Sequence, residues 1–201
     1  MTRFDPQTTL LIVALENELP REMAAGWTIV YTGVGKVNAA IALGDAIAMH
    51  QPKQVVNYGS AGALRPGLAG LHRVTRFLQR DMDVRALGFA LGQTPFDNDD
   101  EILVGIGGLS CGTCDQFVSA PPELTSDLVD MEAYGLAKIC QQKAIDFHCF
   151  KFISDNANGD AAQDWSQQLA IGAKLFCTEI LQHYFLPYCF LPMVIASFHF
   201  R

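Results

Sequence analysis

Val129-Asp130-Met131-Glu132-Ala133-Tyr134, followed downstream by Ile153-Ser154-Asp155, is the part of the sequence on which the fold turns. Between the two, Ala137 to Gln142 has helix-forming composition. Phe147 to Phe152 is a short apolar run that reads as a buried strand and delivers Asp155 at its C-terminal end. Helix followed by buried strand is the repeating unit of an α/β sheet, and ligands of such sheets bind at the C-terminal ends of the strands. Glu132 and Asp155 are therefore expected to reach one crevice from neighbouring elements. Paired carboxyls in an apolar pocket can hold a sugar and protonate a leaving group, which points towards glycosidic-bond chemistry.

The rest of the chain extends the same pattern. Thr9 to Leu15 and Trp27 to Thr32 read as buried strands, the second ending in the glycine turn Gly33-Val34-Gly35. Val37 to Met49 reads as a helix that stops near Pro52, and Gln54 to Tyr58 as a strand closing on Gly59-Ser60-Ala61-Gly62. Leu71 to Leu78 and Ile102 to Leu109 add strands, and Ala161 to Tyr184 a long terminal helix. Strands alternating with helices predict an α/β domain with a largely parallel or mixed sheet. With no repeat and no linker, one domain is expected over 1–185, followed by a tail, 186–201. That tail is almost wholly apolar but carries Pro187 and Pro192. A membrane span needs ~20 apolar residues and prolines break its helix, so packing against the domain or an oligomer partner is the expectation.

Composition narrows the function classes. The 201 residues are 50% hydrophobic, enough for one sizeable core. A net charge of −7 argues against nucleic acid as a partner, because phosphate neutralisation needs clustered Lys and Arg. A small nucleoside is not excluded, since it carries no backbone charge. The six cysteines are too sparse for a secreted disulfide scaffold, and Met1 to Gln7 precede the first strand without an apolar leader. A cytosolic, reduced enzyme is expected.

Several local motifs resolve by elimination. Gly33-Val34-Gly35-Lys36 is no phosphate loop: that motif needs glycine at position 30 and Ser or Thr at 37, where Val30 and Val37 stand. Ser60 is no nucleophile elbow, because Tyr58 occupies the required glycine position. It either caps a turn or binds a water or an anion. Cys111-Gly112-Thr113-Cys114 lacks the second ligand pair of a zinc site and reads as buried thiols. Asp97-Asn98-Asp99-Asp100-Glu101 reads as a solvated loop. Glu16 and Glu18 follow the first strand, and spacing alone leaves open whether either turns into the crevice.

In order and spacing the chain resembles the purine nucleoside phosphorylase and nucleosidase superfamily, and within it the 5′-methylthioadenosine/S-adenosylhomocysteine nucleosidases. The resemblance rests on Ala14-Leu15-Glu16-Asn17-Glu18, Thr32-Gly33-Val34-Gly35-Lys36-Val37 and Asn57-Tyr58-Gly59-Ser60-Ala61-Gly62. It continues through Asp81-Met82-Asp83-Val84, Gly88-Phe89, Cys114-Asp115-Gln116-Phe117-Val118, Val129-Asp130-Met131-Glu132-Ala133 and Ile153-Ser154-Asp155. It implies a central mixed β-sheet flanked by helices, no metal or organic cofactor, a purine nucleoside as small-molecule partner, a homodimer and a place in methionine salvage. Glu18 would then position and activate the attacking water, with Ser60 near it. Met131 and Glu132 would contact the ribose, and Asp155, assisted by Ser154, would protonate purine N7. Phe117 would stack on adenine and the Val118 backbone would read its edge. Val34, Val84, Leu87 and Trp165 would line the sugar and 5′-substituent pocket, and Pro95 would reach across the dimer.

The chemistry agrees with those roles. Adenine leaves poorly until N7 takes a proton, and the cation-like ribosyl centre that follows needs a nearby negative charge. Phosphorylases of the superfamily carry an arginine just before the Gly-Ser turn, where Asn57 and Tyr58 stand, so hydrolysis is expected over phosphorolysis. A phosphorylase with another phosphate site and a non-catalytic nucleoside-binding protein are the alternatives. There are also departures. Only fourteen residues separate Glu18 from Gly33, Lys151 stands where close relatives have arginine, and Leu87 and Trp165 replace pocket phenylalanines.

Overall fold

The computed structural model describes residues 4–97, 99–116, 118, 122–157 and 161–181, without the side chains of 161–164, 166 and 167. Phe117 and the tail over 186–201 lie outside the described residues. Strands β1 (Thr9–Val13) and β2 (Thr28–Tyr31) are followed by helix α1 (Lys36–His50), and then by β3 (Gln54–Ala63) and β4 (Gly70–Gln79). Next come the short strands β5 (Ile102–Leu103), β6 (Leu109–Thr113) and β7 (Leu128–Asp130). Helix α2 (Ala133–Lys143), strand β8 (Asp146–Asp155) and helix α3 (Ala161–Phe176) complete the order, with a wide helical turn over Cys177–Leu181.

Among the described residues the strands form one mixed sheet, as expected. β1 lies between β2 and β3, parallel to both, and β8 runs parallel to β3 over nearly its whole length. β8 also pairs antiparallel with β4, β4 runs parallel to β6, β6 to β7, and β7 returns antiparallel to the end of β3. β3, β8, β4, β6 and β7 therefore close into a ring, from which β1 and β2 extend as a wing.

Helices cover both faces, and the strand sequences show why. Leu10 and Ile12 face a core shared with Leu43 of α1 and Leu136 and Cys140 of α2. Leu11 and Val13 face the opposite core, shared with Phe150, Phe152 and Phe176 of α3. Successive residues of a strand point to opposite faces, so a strand buried on both must be apolar throughout. Helix α3 lies so close to the sheet that a Cβ on Gly172 would fall 2.6 Å from the Tyr58 hydroxyl and 2.7 Å from the Phe152 ring.

Three expectations change. Ile102 to Leu109 is not one strand: Gly105 and Gly107 take positive φ (85° and 79°) and break the run into β5 and the start of β6. β3 does not end at a glycine turn but runs on to Ala63. The segment after β1 forms a turn and, following Pro20, a single 3-10 turn over Arg21–Ala24. The helix read over Ala137 to Gln142 starts earlier, at Ala133, directly after the strand that holds Val129 and Asp130.

Candidate active site

The C-terminal ends of β1, β3 and β8 and the segments that follow β2, β6 and β7 surround a cavity of about 240 Å³. Glu18, Glu132 and Asp155 all line it. Around them stand Leu15, Val34, Ser60, Val118, Met131, Ser154 and Trp165. Glu18 is buried and Glu16 exposed, which settles the choice that spacing left open.

Each acid is held by the end of a strand. Glu18 Oε1 accepts the Ser60 N–H at 2.9 Å and the Ser60 hydroxyl at 2.6 Å, and Oε2 accepts the Leu15 N–H at 3.2 Å. Ser60 sits inside β3 and caps no turn. The Trp165 indole N–H donates to the same Ser60 oxygen at 2.7 Å. Asp155, the last residue of β8, accepts the Ser154 hydroxyl at 2.8 Å and the Ala157 N–H at 2.8 Å. Two glycines of β3 make room for these groups. A Cβ at Gly62 would lie 2.8 Å from Asp155 Oδ1, and one at Gly59 would lie 3.2 Å from the Lys151 ammonium and 3.6 Å from Glu18 Oε1.

Glu132 accepts the Gly35 N–H at 2.9 Å, tying β7 to the glycine loop that carries Val34. Burial, and next the charge of Asp130, push its carboxyl up to about 7. Asp130 itself lies deeper. It accepts the Lys151 ammonium at 2.8 Å, the Thr113 hydroxyl at 2.6 Å and the Ala133 N–H at 2.8 Å. Burial works against its charge, but Lys151 outweighs it and holds the carboxyl below its ordinary value. Burial likewise opposes the charge on Lys151, and Asp130 overrides it and keeps the ammonium protonated. Lys151 is thus an ion-pair partner behind the acids and not a wall of the cavity.

The glycine loop is clamped from its other side as well. The Lys36 ammonium binds Asp81 at 2.5 Å and Asp115 at 3.4 Å, while its N–H donates to Asp115 at 2.8 Å. That clamp joins the loop to the segment bearing Gln116 and Val118, both on the cavity wall. Val84 and Leu87 do not join them. They lie at the 3-10 turn Arg85–Leu87, where Leu87 is 72% exposed. Cys111 and Cys114 are both buried, with thiols pushed up by burial. Asp97 of the acidic run pairs with Lys138 at 2.8 Å. Asp130, Gln116, Ala14 and Ala157 are at the site without having been singled out by sequence.

Known proteins resemble this chain in sequence and in fold. The phosphorylase superfamily pattern matches residues 24–103. A 5′-methylthioadenosine/S-adenosylhomocysteine nucleosidase of Staphylococcus haemolyticus is 31% identical over 169 residues, covering 71% of this chain and 74% of the relative. The chain belongs to the 5′-methylthioadenosine/S-adenosylhomocysteine nucleosidase family. The family's fold is also matched among solved structures. The nucleosidase of Neisseria meningitidis in complex with methylthio-immucillin-A aligns with TM-score 0.71 and 26% identity, over 85% of this chain and 97% of that one. The futalosine hydrolase of Helicobacter pylori aligns with TM-score 0.78 over 86% and 95% of the two chains, but at 19% identity it speaks for the fold alone.

Proposed function

We propose that this protein hydrolyses the N-glycosidic bond of adenine nucleosides of the 5′-methylthioadenosine and S-adenosylhomocysteine type, releasing adenine and the 5-substituted ribose. The observation that carries this reading is the wall of the cavity. Four acidic residues line it, Glu18, Asp130, Glu132 and Asp155, and among the described residues no Lys, Arg or His does. A phosphate nucleophile needs cationic or N–H donors, whereas water needs a base. An anionic wall therefore favours hydrolysis over phosphorolysis.

The reading assigns roles residue by residue. Asp155 gives a proton to N7 so that adenine can leave as a neutral base, and the Ser154 hydroxyl fixes the carboxyl's rotamer. Glu132, beside Met131, holds the ribose hydroxyls and stabilises the cation-like sugar as the bond breaks. Glu18 orients the attacking water and takes its proton, with Ser60 beside it. Val34, Val118 and Trp165 bound the nucleoside. Phe117, Val84 and Leu87 remain part of the proposal as walls completed around bound substrate. Lys151 acts through Asp130, keeping charge balance beneath Glu132.

A cytosolic homodimer acting in methionine salvage belongs to the same proposal. Val37 and Ile41, one turn apart on α1, are 66% and 60% exposed, an apolar strip of the kind a second copy covers. Incubation with 5′-methylthioadenosine, with and without phosphate, tests the central claim. Phosphate-independent release of free adenine is the expected result. Release only with phosphate would transfer the protein to the phosphorylases, and binding without release would make it a nucleoside-binding protein.

A further inference from the structure

Trp165 stands on α3, on the same cavity wall as Ser60 and Glu18, and its indole N–H is a donor only. A serine hydroxyl has one proton and two lone pairs. With the indole N–H on Ser60 Oγ at 2.7 Å, one lone pair is occupied, and the hydroxyl proton is left for Glu18 Oε1 at 2.6 Å. The Ser60 N–H donates to the same Oε1 at 2.9 Å, so this oxygen carries two donors. Oε2 accepts one longer bond, from Leu15 at 3.2 Å, and keeps lone-pair capacity. The three groups form a one-way chain, indole to hydroxyl to carboxylate, in which each bond polarises the next.

We infer that Trp165 is a positioning residue for hydrolysis: its indole N–H fixes the direction of the Ser60 hydroxyl, so that Glu18 accepts the proton of the attacking water at Oε2. This rests on the nucleosidase reading above and goes beyond an apolar wall role for Trp165. A phenylalanine at 165 would preserve the wall but leave the hydroxyl free to turn away from Oε1, so that neither carboxylate oxygen is reserved for water. Helix α3 and strand β3 thus jointly set the geometry of a base supplied by the turn after β1.

The test compares Trp165→Phe, Ser60→Ala and the double variant, following adenine release from 5′-methylthioadenosine. Loss of one hydrogen bond to this network should lower kcat about tenfold in Trp165→Phe, with KM changed less than about twofold. In the Ser60→Ala background the tryptophan change should have no further effect on kcat. The chain has two tryptophans, so the ¹⁵N-indole spectrum supplies a readout independent of turnover. The signal lost in Trp165→Phe identifies Trp165, and in the parent it should lie downfield and exchange slowly. It should move upfield and exchange faster in Ser60→Ala. A rise in KM at constant kcat, an equal fall in kcat in both backgrounds, or an indole signal indifferent to Ser60→Ala would each overturn the inference. If the parent releases no adenine, the nucleosidase reading fails, and the indole signal still decides whether the hydrogen bond exists.

Discussion

At the scale of single residues the site depends on how three carboxyls are solvated. Asp155→Asn keeps the shape of the side chain but removes the proton that the proposed reaction gives to adenine. kcat should fall by a factor of at least about 10³, while binding of the nucleoside, measured calorimetrically, stays near the parent value. Binding lost in step with rate would argue against the acid role. Glu132 makes a pH prediction. Its carboxyl titrates near 7 in the folded protein against an ordinary 4.5, and the role proposed for it needs the ionised form. kcat/KM should therefore fall as pH drops through about 7. Stability runs the other way. A raised carboxyl favours the folded state below about 4.5, and that advantage is lost as pH rises through 7, where the charge is forced into a buried position beside Asp130. Glu132→Gln should be inactive yet more resistant to urea than the parent at pH 8, by about 1 to 3 kcal/mol, and near parity at pH 5. Asp155 was legible because it ends an apolar run, where an unpaired acid has no structural reason to be, and Glu132 because it precedes the helix that leads into that run. Asp130 was not singled out, although its signal was present: Lys151 in a buried strand requires a buried counter-charge somewhere in the chain. What spacing could not supply was which acid that would be.

Elements were legible in proportion to how far burial alone dictated them. β1, α1, β4 and β8 came out within a few residues, because two-sided burial or a run ending at Pro52 marks them locally. β3 was read too short, since a Gly-Ser-Ala-Gly string reads as a turn. The glycines instead serve close approach within a strand, leaving space for Asp155 and Lys151. β5 and β6 merged because positive-φ glycines interrupt an otherwise apolar run. Helix α3 gives the prediction at this scale. Gly172→Ala would place a methyl 2.6 Å from the Tyr58 hydroxyl, and displacing the helix should lower stability by about 1 to 3 kcal/mol in thermal or urea unfolding. Because Trp165 lies on the same helix, adenine release should fall as well. Unchanged stability would show that α3 docks more loosely than drawn.

At the scale of the whole molecule two features organise the rest. The Lys151–Asp130 pair joins β8 to β7 beneath the cavity, with both side chains almost wholly out of solvent. Lys151→Met leaves Asp130 charged and unpaired and should cost about 3 to 5 kcal/mol. Adding Asp130→Leu should recover much of that stability. The apolar strip on α1 makes the second prediction: sedimentation should give a dimer, and Ile41→Lys should shift it towards monomer. A parent that sediments as a monomer would remove the dimer from the proposal. The mixed sheet and its flanking helices were expected from alternating elements and from family resemblance, but the closed ring was not. Which distant strands pair is decided by three-dimensional fit, which a single sequence does not display.

The pairing of β3 with β8, registered from Gln54 against Asp146 to Gly62 against Asp155, joins segments some ninety residues apart in the chain. On a ribosome, synthesis runs from the N-terminus, so β3 emerges long before the strand that completes it. Until β8 arrives, β3 presents an unsatisfied apolar edge to the crowded cell interior, a template for mispairing. Such distant pairing also slows refolding, since a long loop must close before any contact rewards it. Among the described strands the last to appear is thus the one that seals the sheet and, on the proposed reading, brings the proton donor, so a nascent chain short of it would be inactive.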